Sequence, residues 1–368
     1  MIRNLNLRRK LVKAVRLAAD TEPKIYHVSD TKLIFAIPHG IDPASLHEKA
    51  YVFRQVFGED CELVGDLKRF DLTIPARPLP AKLAYNFEEW REDISELALP
   101  IICGINALGR RLYYDLAERP HLLISGETGS GKSSLLRAII TTLLLSKEPE
   151  EVRLLLGDLK RSEFGLFRNL AHVDAVCVDK TQLERELKLI KVEMERRGNL
   201  LDETGATHIS ELSEKLPYYI VAIDEVALLR KERRIMEIIE DISSIGRSLG
   251  VLLILSMQRP DSKVLEGRLK NNLTVRISGR QSNKTNANVA GLPGAERIKQ
   301  TERGRMLIDI DGVYRRFQAP WLAYKDARDI LTHLRVKPSE SSDKAIETLV
   351  EETPLFGVLD GGDFDAEA

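Results

Sequence analysis

Residues Gly126-Glu127-Thr128-Gly129-Ser130-Gly131-Lys132-Ser133 fit the pattern G-x-x-x-x-G-K-[S/T] at every position. Glycines at these places let successive backbone N–H groups turn inward around phosphate oxygens, at a helix N-terminus that favours negative charge. Lys132 is placed to reach the β- and γ-phosphates, and the Ser133 hydroxyl to ligate Mg2+. The expected ATP contacts therefore run from Gly126 to Ser134. A second element is Asp224-Glu225, which closes the apolar run YYIVAIDE. Asp224 is expected to hold the Mg2+ shell, and Glu225 to polarise an attacking water. A third is Gln258, at the end of VLLILSMQ, where a polar side chain needs a reason. It would sense the γ-phosphate or orient the water; an amide satisfied by backbone is the alternative.

These residues must be held by a scaffold that brings strand ends together. HLLIS, VRLLLGD, DAVCV, YYIVAID and VLLILSM are short and densely apolar, as strands buried on both faces should be. Helical stretches over 133–145, 181–201 and 230–249 separate them. That alternation predicts an α/β domain with a mostly parallel sheet over 101–335. The acidic pair then falls at a strand's carboxyl end, where open α/β sheets place their ligands.

Around that domain the chain divides further. Residues 1–20 read as a basic amphipathic helix: Leu7, Leu11, Val15 and Ala18 share one face, and Arg3, Arg8, Arg9, Lys10, Lys13 and Arg16 crowd the rest. Such a helix either docks on its neighbour or touches DNA or a membrane surface. Residues 21–80 read strand, strand, helix, strand, strand, a small α+β domain. Pro75, Pro78 and Pro80 followed by the charged NFEEWRED suit a linker over 81–100. The tail over 336–368 has nine acidic and two basic residues and reads as disordered, apart from a helical pattern near 345–352.

Composition narrows the function. With 55 Lys+Arg against 56 Asp+Glu the net charge is −1, so any nucleic-acid contact must be local rather than a global basic field. At 43% hydrophobic the 368-residue chain can bury a sizeable core, which excludes disorder throughout. The cysteines Cys61, Cys103 and Cys177 lie far apart in no CxxC pair, against a disulfide scaffold or zinc ribbon and in keeping with a cytoplasmic protein. No apolar run reaches the roughly 18 residues of a transmembrane helix, and the N-terminus lacks the apolar core of a secretory signal.

Taken together the motifs resemble the FtsK/SpoIIIE DNA translocases, RecA-like hexameric ring motors. The resemblance runs through PHLLISGETGSGKS, GDLKRSEF, EMERRGNLLDETGATHISEL, LPYYIVAIDE, SLGVLLILSMQRP, KNNLTVRISGR and ERGRML, in order, over about 100–325. Residues 24–75 also resemble the small domain that precedes the core in those motors. Three positions depart from the family's pattern: Leu159 where proline is common, Gly198 for a tyrosine, and Arg305 where an aspartate is usual. The sequence reads as a bare motor, with neither a membrane-spanning domain nor a winged-helix reader.

The resemblance implies a RecA-like core, ATP and Mg2+ as cofactors, double-stranded DNA as partner, and a homo-hexamer. A ring motor also needs a cation supplied to a neighbour's γ-phosphate; Arg247, Arg259, Arg276 and Arg280 are candidates, with Arg276 favoured. Lys263, Arg268 and Lys270, in the 259–270 loop, suit phosphate tracking without base readout, or are simply a solvated charged loop. A related reading is a conjugative or plasmid coupling ATPase that delivers DNA to transfer or replication proteins. A nucleotide-gated DNA-binding scaffold is disfavoured by Glu225, which a pure switch does not need. A small-molecule kinase is disfavoured by the QRP strand end and the 24–75 module.

Overall fold

The computed structural model describes residues 2–65, 67, 69–265 and 267–336. The acidic tail expected over 336–368 lies outside them apart from Val336.

The first unit begins with α1 (Ile2–Ala19). Its Leu11, Ala14, Val15 and Ala18 recur at helical spacing and are all fully buried. They pack on an antiparallel sheet of β1 (Lys24–Val28), β2 (Lys32–Ala36), β3 (Glu62–Gly65) and β4 (Arg69–Thr73), ordered β1-β2-β4-β3. The chain crosses between β2 and β3 through α2 (Ala44–Glu48) and α3 (Ala50–Phe57). Phe35 of β2 stacks on Phe70 of β4 at 5.5 Å and on Phe53 of α3 at 6.3 Å, closing a small separate core. The N-terminal helix is thus docked by its apolar face, while Arg3, Arg8, Arg9, Lys10, Lys13 and Arg16 stay exposed.

The stretch 81–100, expected as a linker, is instead part of the large domain. It carries β5 (Leu83–Ala84), paired in parallel with a strand at Pro320–Trp321, and α4 (Phe87–Ile94), capped by the Asn86 side chain. Trp90 and Ile94, one helical turn apart, are buried in the main core. Five charged residues in α4 conceal an apolar stripe only two residues long, too short to read as a period.

The large domain is built on a ten-stranded sheet. Its strands in chain order are β6 (Pro100–Asn106), β7 (Arg111–Asp115), β8 (Leu122–Ser125), β9 (Val152–Asp158), β10 (Val173–Cys177), β11 (Tyr218–Asp224), β12 (Val251–Met257), β13 (Val275–Ser278), β14 (Arg305–Ile310) and β15 (Val313–Gln318). The short β16 (Pro320–Trp321) pairs with β5 outside this sheet. The order is β10-β9-β11-β12-β8-β13-β14-β15-β6-β7, parallel from β10 to β13 and antiparallel from there to the edge. All seven residues of β12 are buried, as a central strand covered on both faces requires.

Helices α5 (Lys132–Ser146), α6 (Lys180–Thr204) and α7 (Arg233–Leu249) cover the sheet, followed by the short α8 (Gly267–Asn272). In α7 the buried Ile235, Ile238, Ile239 and Ile242 follow the helical period, and Gly250, at φ 67°, ends the helix in the left-handed conformation. The fully buried Arg197 of α6 donates to the carbonyls of Leu249 and Pro217, both at 2.8 Å, and to Glu193 Oε1 at 2.7 Å. The second arginine of EMERRG therefore ties α6 to the α7–β12 turn.

His121, 1% exposed and with φ 64°, sits just before β8, and its Nδ1 accepts the Leu253 N–H at 3.1 Å. Burial pushes its pKa down from 6.5 to about 4. The unfolded chain therefore binds more protons in this window, and stability falls as pH drops from about 7 towards 4. We expect a loss on the order of 2 kcal/mol between about pH 7 and pH 5. Thermal unfolding against pH checks it: His121→Gln should flatten this acid slope, and an unchanged slope would refute the assignment.

Candidate functional site

Chain topology decides where the chemistry sits. The strand leading into the phosphate loop, β8, lies between β12 and β13, while the chain continues to β9, two strands beyond β12. This reversal is a topological switch point, and its crevice opens at the carboxyl ends of the strands. Gly126, Asp224 and Gln258 all stand at that edge, following or ending β8, β11 and β12.

The loop between β8 and α5 is a phosphate cradle by its own geometry. Gly126, Gly129 and Gly131 have φ of 148°, 82° and 101°. A Cβ on Gly126 would lie 2.7 Å from Ser130 Oγ, and one on Gly131 would lie 2.8 Å from Gly304 Cα. The turn therefore requires glycine at both positions. Helix α5 begins with no side-chain cap, so its first N–H groups are left for an anion. Ser130 Oγ is buried with no partner among the described residues and lines the same cleft as Thr128 and Gly129. These features fit a nucleotide's phosphates. Glu127 instead pairs with Arg280, whose backbone carbonyl also accepts the Glu127 N–H at 3.0 Å.

Lys132 Nζ donates to Asp224 Oδ1 at 2.7 Å and to Ser256 Oγ at 2.5 Å; Ser256 Oγ donates to the same Asp224 oxygen at 3.0 Å. All three side chains are buried. One ammonium with three protons thus links the phosphate loop, β11 and β12. Asp224 Oδ2 accepts no hydrogen bond among the described residues, and the half-buried Ser133 stands in the first turn of α5. Both are hard oxygen donors of the kind Mg2+ takes. No group of three or more His, Cys, Asp or Glu able to hold a metal occurs among the described residues. Mg2+ would be held here by these two residues together with nucleotide phosphate.

Glu225 is 5% exposed and takes the left-handed conformation, φ 71°. Lys160 Nζ donates to its Oε2 at 2.5 Å, and the Gln258 N–H reaches Oε1 and Oε2 at 3.1 and 3.2 Å. Gln258 touches the acid through its backbone, whereas its half-buried side-chain amide makes no hydrogen bond among the described residues.

The remaining residues singled out in the sequence fall elsewhere. Ser134 faces away from the cradle: its Oγ donates to the Pro320 carbonyl at 3.2 Å and accepts the Leu322 N–H at 2.8 Å. Arg276 is engaged by its own chain, donating to the carbonyls of Lys270 at 2.6 Å and Leu273 at 3.3 Å at the end of α8. Arg247 and Arg259 are exposed. In the 259–270 segment Val264, Leu265 and Leu269 are buried, while Lys263 and Arg268 are exposed and Lys270 is half-buried. No described carboxylate pairs with those three cations.

Two partners in this site were not among the site residues expected from the sequence. Ser256 is a serine inside an apolar strand, with no motif of its own. Lys160 lies in GDLKRSEF, whose turn is shaped by Asp158: its carboxylate accepts the N–H groups of Ser162, Glu163 and Phe164 at 3.0, 3.1 and 2.9 Å.

A sheet of this order, with its nucleotide cradle beside β12 and an acidic pair on β11, is that of a RecA-like P-loop ATPase. The chain belongs to the FtsK/SpoIIIE family, whose model matches residues 84–290. It is 31% identical over 298 residues to the DNA translocase FtsK of Staphylococcus aureus, an alignment covering 72% of this chain and 37% of that protein. With the DNA translocase FtsK of Chlamydia pneumoniae it shares 30% over 284 residues, covering 70% of this chain and 35% of the other. The chain thus spans little more than a third of the length of the curated relatives it matches. Among solved structures it resembles the conjugation coupling protein TcpA of pCW3, in its monomer form with ATPγS. The TM-score is 0.62 at 24% identity, over 89% of this chain and 99% of that one. The cytoplasmic domain of the type VII secretion ATPase EccC of Thermomonospora curvata scores 0.58 at 26%, over 66% and 31%. No described helix is long and apolar enough to cross a membrane.

Proposed function

We propose that the protein is a motor that couples hydrolysis of Mg2+-ATP to movement of double-stranded DNA through a homo-oligomeric ring. Glu225 accepts a proton from the attacking water and Lys132 neutralises charge on the phosphates. Mg2+ held by Ser133 and Asp224 supplies further positive charge at the phosphate oxygens when bound. A ring also needs a cation from the neighbouring subunit. The exposed Arg247 and Arg259 suit that role better than Arg276, whose guanidinium is tied to α8.

The observation that carries this reading is the bond from the Gln258 N–H to Glu225. Gln258 immediately precedes the cationic 259–270 segment, so the hydrolytic carboxylate and the proposed DNA grip share one residue. The names of the two FtsK relatives supply the substrate class, DNA; that it is double-stranded is part of the proposal. The test is ATP turnover with and without linear duplex DNA of two unrelated sequences. Turnover should rise with both to a similar extent; no rise with either would refute the motor.

A further inference from the structure

Glu225 is gripped from two sides. On one side Lys160 Nζ lies 2.5 Å from Oε2, a charge-assisted hydrogen bond to a carboxylate 6% exposed. On the other stands the Gln258 N–H, bonded to both oxygens. The two sides differ in how firmly they are held.

The turn that carries Lys160 is braced throughout. Asp158 accepts three backbone N–H groups from it. Glu163 pairs with Arg137 of α5 at 2.8 Å, with both side chains largely buried. Arg137 in turn donates to the Leu322 carbonyl at 2.6 Å and lies 5.6 Å from the Tyr324 ring. The Lys160 turn is therefore locked to the helix that begins at the phosphate loop. The segment after Gln258 is held differently: Val264, Leu265 and Leu269 are buried, but its polar side carries only the Asp261–Arg230 pair at 3.3 Å, with Lys263 and Arg268 exposed.

A general base must present a free lone pair to the proton it takes. Oε2 accepts both the ammonium and the Gln258 N–H, Oε1 the Gln258 N–H alone, and the rigid turn keeps the carboxylate in this orientation. We propose that Lys160 is a latch on Glu225, a positioning residue that keeps the carboxylate from the attacking water until a shift of the 259–270 segment on DNA draws Glu225 away. Lys160 is 31% exposed, so water can solvate its ammonium once the pair opens. The latch presupposes that Glu225 is the water-activating group, and the experiment separates the two.

Turnover is measured without DNA and with saturating linear duplex DNA, together with the KM for ATP and the melting temperature, for Lys160→Met, Lys160→Arg and Lys160→Met/Glu225→Gln. In Lys160→Met, DNA-free turnover should rise on the order of tenfold, part of the roughly 10²–10⁴ that general-base help supplies. The ratio of DNA-stimulated to DNA-free turnover should shrink and KM should stay as in wild type. Lys160→Arg, which keeps the cation, should restore most of the wild-type ratio. Adding Glu225→Gln should abolish the raised rate. DNA-free turnover at or below wild type in Lys160→Met overturns the latch, and Lys160→Gln gives the same reading if Lys160→Met melts early. A raised rate that survives Glu225→Gln also overturns it, because Lys160 would then act through another group. Failure of the Glu225 assignment looks different: Glu225→Gln alone would hydrolyse ATP at the wild-type rate.

Discussion

Glu225→Gln should bind ATP as wild type does and lose about 10²–10⁴-fold in turnover, the usual share of general-base catalysis. That is roughly 3–5 kcal/mol of transition-state stabilisation at about 1.36 kcal/mol per factor of ten. The glutamine keeps the shape of the side chain and can still accept the Gln258 N–H, so the loss falls on proton transfer. Lys160 is partly exposed and tolerates the missing carboxylate. Lys132→Ala should behave differently and lose nucleotide binding as well. It removes the ammonium that reaches the phosphates, and it strands Asp224, 3% exposed, without its cation. Breaking a buried pair from one side costs about 3–5 kcal/mol of folding stability, so Lys132→Met/Asp224→Asn is the control that separates misfolding from lost binding. Equilibrium binding of a fluorescent ATP analogue and single-turnover hydrolysis are the measurements. Wild-type hydrolysis by Glu225→Gln would remove the catalytic assignment.

The second large effect concerns the grip on DNA. With a net charge of −1, affinity in the proposed ring would come from a few local cations multiplied over its subunits. Binding should be nearly independent of sequence and fall steeply with salt, with a log–log slope of about −0.9 per phosphate neutralised. The triple variant Lys263→Ala/Arg268→Ala/Lys270→Ala should flatten that slope and bring the DNA-stimulated rate down towards the DNA-free one. Lys270 serves Arg276 through its carbonyl, not its side chain, so the substitution leaves that bond in place. The rival grip is the basic face of α1. Removing α1 would uncover Leu11, Ala14, Val15 and Ala18 and undo the small core, so charge reversal is the sound test. If Arg8→Glu/Arg9→Glu/Lys13→Glu abolished DNA stimulation while the triple loop variant behaved as wild type, the loop would not be the grip.

The buried apolar face of α1 also narrows what that helix can do. A helix that inserts in a membrane surface needs its apolar face free, and here the small sheet and α3 cover it. The amphipathic pattern was plain in residues 1–20, but a pattern of faces does not say what each face meets. The same holds for 81–100. The prolines just before it and its own charges marked it as a crossing segment, yet Trp90 and Ile94 fix it in the large core, because two apolar residues one turn apart are enough once a neighbour is there to bury them.

What the sequence by itself determined is what adjacent residues can encode. The phosphate loop is one such case, since its glycines, lysine and serine act on the same ligand from consecutive positions. The alternation of apolar runs with helices is another, because burial on both faces of a strand writes itself into composition. The acidic pair could be placed at a strand end for the same reason. Only the tertiary structure decided which groups those residues meet. Sheet order sets β9, β11, β12 and β8 side by side, and so brings Lys160 to Glu225 across 65 positions and Ser256 to Lys132 across 124. It likewise turned Ser134 to the 320–322 segment, tied Arg276 to α8, and gave Gln258 its contact through a backbone N–H that any residue at that position would possess. Hydrogen bonds and ion pairs act over a few ångströms of space, and nothing in local sequence records which distant strand will supply the partner.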